Sequence, residues 1–532
     1  MSRRGRTDRF DHDVNNPAES SSLNAAAAIL AAGDDAAPAL RLYADARRET
    51  IARGELRRRV RKAATVFAEH GVAEEQRVLL VLPDSPEYVY AFLGAIWNGS
   101  VPVLVNCFLR PEQYSRFVEE TRARAVVTTP EIAAAVRSAP SRRNPPAILT
   151  VASDGSGSFT DALRDASEVA EPYATHAEDA ALWLYSSGTT GRPKGVVHLH
   201  RGMMHAVASY GCAILATRAD DVAYATSKLF FAYGLGASLY FPLAVGAATV
   251  LAPDPFDPAR SWRILAEERP TLFFSVPSAY RALLQHAPAE APELLGGVRR
   301  FVSAGEGLPP ALFTAWKERF GVEIVDGIGS TEALHIFLSN RPGACVPGTL
   351  GRAVPGYEVE IVDAAGAAVQ RGTPGALRVR GDSVAAGYWH REEATQSAFA
   401  AGWFATGDQA VENEDGTIRV LGRVDDLFKV SGQWVSPLDV EAIIAAVPGV
   451  SECGVVGIEG EEGLIGAVAF AVAATTGAAL DDLQARIVAA CAQSLPRFKR
   501  PKRIVFLEAL PRTATGKLQR YVLRQETGTG NQ

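Results

Sequence analysis

The chain of 532 residues has no cysteine pair at CxxC spacing; its five cysteines, Cys107, Cys212, Cys345, Cys453 and Cys491, lie far apart. Neither a zinc knuckle nor a disulfide framework is implied, which fits a reducing cytoplasm. A cationic excess is also missing. The formal net charge is −6, so nucleic acid and anionic membrane surfaces are not expected partners. No apolar run is long enough to span a bilayer, and the Ala-rich NAAAAILAAGDDAAPAL is broken by Asp34 and Asp35. The opening MSRRGRTDRFDHD has arginines but not the apolar stretch of a secretory signal. A soluble, cytoplasmic protein is expected.

What is present is ordinary globular material, 47 % apolar and 21 % charged, in a chain too long for one core. Residues 1–20 are polar and aperiodic, as in a disordered arm. RRVRKAATVFAEHG predicts an amphipathic helix stopped by Gly71. RVLLVLP predicts a buried strand, PEYVYAFLGAIWNG a helix, and VPVLVN another strand. Similar apolar runs recur at ARAVVTTP, ATVLAP, TLFFSVP, RRFVSAG and VEIVDGIG. Strands of this kind between helices predict an α/β fold with a parallel or mixed sheet covered on both faces. The loops APSRRNPP and SDGSGS are rich in turn residues. Beyond residue 355, GYEVEIVDAAGAAVQRGTPGALRVRG suits a small β subdomain, and the texture shifts again at GRVDDLFKVSG to about a hundred residues of α+β.

The richest chemistry lies in YSSGTTGRPKG, residues 185–195. It lacks the Walker spacing, because Gly188, Gly191, Lys194 and Gly195 do not fit G-x-x-x-x-G-K-[ST] and no hydroxyl follows the lysine. The composition still suits an anion. Ser186, Ser187, Thr189 and Thr190 supply hydroxyl donors, the glycines admit backbone N–H groups, and Lys194 adds charge.

YSSGTTGRPKG resembles the signature loop of the adenylate-forming superfamily of acyl-CoA ligases, luciferases and adenylation domains. DGIGSTE (326–332), GWFATGD (402–408), GRVDDLFKVSG (422–432) and PRTATGKLQR (511–520) follow in that family's order. The resemblance covers about residues 40–525, and KLFFAYGLG with STEALHIFLSN is most similar to benzoate-CoA ligases. It implies a large N-terminal domain, about 1–424, and a smaller mobile C-terminal domain, 425–532, hinged at Asp425. It implies ATP, Mg²⁺ and coenzyme A as reactants or cofactors. The 185–195 loop would hold the β- and γ-phosphates, with Gly188 among its residues. Gly305, Glu306, Asp326, Gly327 and Ser330 complete the nucleotide site. Thr331 would contact the α-phosphate, Glu332 the metal, and Asp408 the ribose hydroxyls with help from Arg423. Lys517 would bridge the acid's carboxylate and the α-phosphate, stabilising charge without acting as a base.

The same resemblance puts the acid against Ala232, Tyr233, Gly327, Gly329, His335 and Ile336, small, aromatic or apolar neighbours for a flat uncharged ring. KLFFAYGLG lacks the aspartate that anchors an α-amino group in amino-acid adenylation domains, and its bulky FFAYG disfavours a long fatty chain. Benzoate, 2-aminobenzoate and hydroxybenzoates remain. His335 would bond a ring substituent or a backbone carbonyl, and Phe230 and Phe231 are either pocket walls or core. In a second pose, Lys429, Ser431, Gly432 and Trp434 would open the thiol channel, with Arg497 and Lys499 of SLPRFKRPKR near the CoA entrance. No carrier domain with a serine site is evident after residue 525. A carrier protein as acceptor would therefore be a separate partner, and a homodimer is left open.

Overall fold

The computed structural model describes residues 22–137, 145–186, 193–430, 433–460, 465–474, 480–512 and 518–526. The expected N-terminal arm and most of the APSRRNPP loop lie outside the described residues.

Two large sheets form the body of the protein. The first has seven strands, in the order Gly387–Tyr388, Lys194–Leu199, Ala180–Ser186, Val101–Leu104, Arg77–Val81, Ala125–Thr128 and Ala147–Thr150. From Ala180–Ser186 to Ala147–Thr150 the strands run parallel. Val101–Leu104 and Ala125–Thr128 are buried at every residue, as expected for strands covered on both faces. The second sheet has nine strands, and its six central members, Ile324–Gly329, Arg300–Ser303, Leu272–Ser275, Val222–Ala225, Ala248–Leu251 and Pro38–Tyr43, are parallel. Antiparallel strands close both of its edges.

The helix Pro86–Trp97 is buried at all twelve positions. Apart from Glu87, which accepts from Arg47 at 2.8 Å, PEYVYAFLGAIW has no charged side chain on any face, as suits a helix enclosed on every side. Ser85 starts it by accepting the Tyr88 N–H at 3.2 Å, with proline at the first turn. Gly94 lets it approach the helix Arg53–Glu69 closely: a Cβ there would lie 2.4 Å from Ala63 Cβ. That second helix carries the predicted amphipathic pattern, and Gly71 beyond its end has φ +71°.

The expected β subdomain is a five-stranded sheet built on Glu358–Val362, Gly375–Arg380 and Trp403–Glu412, with Phe399–Ala400 and Ile418–Arg423 at its margins. Beyond it, Val450–Glu459, Ile465–Ala473 and Arg503–Phe506 form a three-stranded sheet under the helices Pro437–Ala445 and Leu480–Ser494. Val440, Ile444, Val455, Ala469 and Ile487 give this small lobe a core of its own. The architecture is mixed α/β, a large N-terminal domain followed by a smaller C-terminal one. No described helix is long and apolar enough to cross a membrane.

Candidate active site

A cleft of about 1100 Å³ runs between the two lobes. Its floor is the end of the strand Ile324–Gly329, which pairs antiparallel with Ile336–Ser339 and so presents the Ser330–His335 turn. Three hydrogen bonds hold that turn. Ala333 N–H donates to Ser330 Oγ at 3.0 Å, Ala385 N–H donates to the Glu332 carbonyl at 2.8 Å, and His198 Nε2–H donates to the Thr331 carbonyl at 2.8 Å. Burial pushes His198 down to about 4, so its ring is a neutral donor at physiological pH. Tyr388 donates its hydroxyl to Glu332 Oε1 at 2.9 Å. Burial, reinforced by the Glu332 charge, drives the Tyr388 phenol well above its ordinary range.

The glycine-rich loop springs from a hairpin, Ala180–Ser186 against Lys194–Leu199, in which Ser186 faces Lys194 across the register. Ser187, Gly188, Thr189 and Thr190 lie outside the described residues. Lys194 Nζ stands 4.7 Å from the centre of the Tyr388 ring. Gly305, with φ +88°, and Glu306 line the cleft opposite. Glu306 accepts from Ser278 N–H at 3.2 Å and faces Arg512 of the small lobe at 3.5 Å. Asp326 is buried in the wall, and burial lifts its carboxyl to about 8 against the opposing pull of Ser303 and the Gly327 and Leu308 N–H groups. Asp408 pairs across strands with Arg423, 3.3 Å apart, and both line the cleft.

Of the residues expected around the acid, Gly327 and Gly329 line the large cleft, whereas Ala232, Tyr233, His335 and Ile336 do not. They lie behind it in an aromatic nest, His335 and Ile336 buried and Ala232 and Tyr233 half-buried. His335 is 2 % exposed, its ring centre 4.5 Å from Phe241, 5.3 Å from Tyr210 and 5.6 Å from Tyr233. Burial pushes it down to about 3. The Tyr233 backbone carbonyl, to which the ring can donate, pulls the other way. Tyr233 donates its hydroxyl to the Val302 carbonyl at 3.0 Å, which fixes its ring. The two glycines form the seam between nest and cleft, since a Cβ on Gly327 would meet Ile336 Cγ2 at 2.8 Å. Phe230 and Phe231 stack edge to face at 4.5 Å; Phe230 is core, while Phe231 is only partly buried.

In the small lobe Lys517 lies outside the described residues, but Arg512 and Leu518, which form a bridge on either side of it, both line the cleft. Asp425 sits in the tight turn Val424–Asp426, where Arg524 donates to its carbonyl at 3.1 Å and to Asp426 Oδ1 at 2.9 Å. Lys429 Nζ caps the Trp434 ring at 4.7 Å, and that ring is 58 % exposed, away from the cleft lining. Ser431 and Gly432 lie outside the described residues. Arg497 opens a short 3₁₀ turn. Lys499 is committed to Asp439 at 2.7 Å, and Asp439 also meets Arg419 at 3.0 Å.

The AMP-binding enzyme family matches residues 31–389, and the AMP-binding enzyme C-terminal domain matches residues 439–517. The chain belongs to the AMP-binding enzymes. It is 38 % identical over 488 residues to a 4-hydroxybenzoate–CoA/benzoate–CoA ligase of Rhodopseudomonas palustris, covering 90 % of this chain and 89 % of the relative. It is 40 % identical over 460 residues to a benzoate–CoA ligase of Thauera aromatica, covering 85 % and 86 %. Its fold superposes with a TM-score of 0.88 on the anthranilate CoA ligase AuaEII in complex with anthranoyl-AMP, at 35 % identity over 95 % of this chain and 97 % of that one. Two residues of this AMP-binding enzyme were not legible in its motifs. His198 and Tyr388 hold the Thr331–Glu332 turn from outside the five motifs. The Gly-Tyr-Trp triplet at 387–389, an aromatic pair after a strand glycine, was the available signal for the second.

Proposed function

We propose that this enzyme is an aryl-CoA ligase. A benzoate or substituted benzoate attacks the α-phosphorus of ATP, releasing pyrophosphate and forming an aryl-AMP anhydride. The thiol of coenzyme A then attacks the anhydride carbonyl, forming the thioester and expelling AMP. One observation carries the reading: a single cleft gathers Glu332, Asp408, Asp326 and the two residues bracketing the Lys517 segment from both lobes. The relatives' names point to benzoates as the acid.

The first step brings two anions together, so the enzyme's part is to supply positive charge and dipoles where negative charge grows. Lys194 and the hydroxyl-rich loop receive the β- and γ-phosphates, Thr331 the α-phosphate, and Asp408 with Arg423 the ribose. Lys517 bridges carboxylate and phosphate. A Mg²⁺ ion would be held by Glu332. Its carboxylate has one hydrogen bond, from Tyr388, among the described residues, and no cluster of three ligating side chains accompanies it there. One hard carboxylate with substrate phosphates completing the shell is the ordinary pattern for this ion, which neutralises charge on the leaving pyrophosphate.

The ring would occupy the nest of Tyr233, Ala232 and Ile336. Neutral His335 backs this nest: one ring N–H is directed to the Tyr233 carbonyl, which leaves the other nitrogen to accept from an amino or hydroxyl substituent. We place the domain boundary near residue 424, with 425–532 rotating about Asp425 between steps. After rotation the Lys429–Trp434 segment, whose Trp434 is exposed here, would replace the Lys517 segment beside the adenylate. The test is a panel of benzoate with its amino- and hydroxy-derivatives, measuring AMP and pyrophosphate with and without CoA. Pyrophosphate released with any of these acids, and aryl-CoA formed only when CoA is added, is the expected result. ADP as product, or no ring-dependent pyrophosphate, overturns the reading.

A further inference from the structure

We propose that Tyr388 is a positioning residue for adenylation, tying Glu332 and Lys194 into one fixed unit; this rests on the ligase reading above. Tyr388 comes from a short strand, Gly387–Tyr388, added antiparallel to the strand that follows the glycine-rich loop, with Tyr388 opposite Val196. Its backbone is fixed independently of its hydroxyl. Tyr388 N–H donates to Thr395 Oγ1 at 3.0 Å, and Trp389 N–H donates to the Gly195 carbonyl at 2.8 Å. The ring packs edge-on against Phe399 at 5.3 Å. From this anchored base the side chain does two things. Its hydroxyl donates to Glu332 Oε1, and its face receives the Lys194 ammonium.

The choice of a phenol matters. A carboxylate in an open cleft rotates freely, and a cation held between it and phosphates needs its oxygens in place beforehand. Pairing Glu332 with an arginine or lysine would fix it, but would also offset the negative charge that attracts the metal. A neutral hydroxyl fixes one oxygen and leaves the charge. The ring face meanwhile holds Lys194 at the hairpin end without engaging the ammonium in an ion pair that phosphates would have to displace. Phosphate-binding cation and metal-binding carboxylate are thus registered to each other through one side chain.

The experiment compares wild type, Tyr388→Phe, Glu332→Gln and the double variant. ATP binding is measured by calorimetry with and without Mg²⁺, and pyrophosphate release and aryl transfer from supplied aryl-AMP are followed separately. Tyr388→Phe keeps the ring, so ATP affinity without Mg²⁺ should stay within about twofold, while a hydrogen bond to a charged group is lost. The Mg²⁺-dependent gain in ATP affinity and the adenylation rate should each fall about tenfold or more, with aryl transfer unchanged. In the Glu332→Gln background the same substitution should cost little further, because the phenol acts through the carboxylate. Unaltered Mg²⁺ dependence in Tyr388→Phe, or losses that multiply fully in the double variant, would overturn the proposal. Thermal unfolding of each variant separates misfolding, and Tyr388→Leu, which also removes the ring, should additionally weaken Mg²⁺-free ATP binding. Failure of the wild type to release pyrophosphate with any aryl acid would defeat the ligase reading itself, and this inference with it.

Discussion

At the scale of single residues, burial holds several groups in and behind the cleft wall, His198, His335 and Asp326 among them, toward their neutral forms. His335 is the extreme case. Its ordinary value of 6.5 falls to about 3 in the folded chain, so between those values the unfolded chain binds a proton that the folded chain does not. Stability is therefore full above about pH 6.5 and is lost as pH falls toward 3. Asp326, raised from 3.8 to about 8, works with the opposite sign, because its folded form binds the extra proton between those values. His335→Phe should consequently flatten the acid limb of a plot of urea midpoint against pH, removing up to about 1.4 kcal/mol per pH unit. An unchanged slope would mean that the ring is not buried neutral. The STEALHIF stretch singled out His335 as a candidate for the acid site. Its enclosure by Tyr210 and Phe241 was not legible there, because those residues come from distant helical turns that no local pattern links to it.

At the scale of elements, strands announced themselves and contacts between them did not. RVLLVLP, VPVLVN and TLFFSVP became buried parallel strands because continuous apolar runs fit only a sheet covered on both faces. The partition into two sheets, and the antiparallel edges that shape the Ser330–His335 turn, depend on long-range pairing invisible in sequence. Gly329 shows how tight that turn is, since a Cβ there would stand 2.3 Å from the His335 carbonyl oxygen. Gly329→Ala should therefore push the two strands apart, costing about 1–3 kcal/mol of stability and weakening acid binding more than ATP binding. A denaturant midpoint and separate KM values for the two substrates would show it; equal effects on both substrates would place the damage elsewhere. Tyr388 and His198 escaped the motifs for the same reason, each acting across a strand pairing or a loop crossing rather than along the chain.

At the scale of the whole molecule, two lobes with separate cores meet over one cleft, and few described links join them across it. Arg512 to Glu306, at 3.5 Å, is one. We expect Asp425→Pro, which fixes φ at the turn, to leave pyrophosphate release from ATP and acid largely intact while slowing thioester formation from supplied aryl-AMP. Lys517→Ala should do the reverse, slowing adenylation by on the order of 10²–10³ and sparing the second step. Rapid-quench assays of each half-reaction distinguish the two patterns, and equal losses in both steps for either variant would exclude a rotating lobe. The register of the β subdomain carries a last implication. Asp408, the proposed ribose ligand, is the cross-strand neighbour of Arg423, and Arg423 is the residue from which the Val424–Asp426 turn departs. The proposed ribose contact and the proposed pivot therefore share one rung of a ladder, and we expect departure of AMP to slacken the joint and reset the lobes without a separate signal.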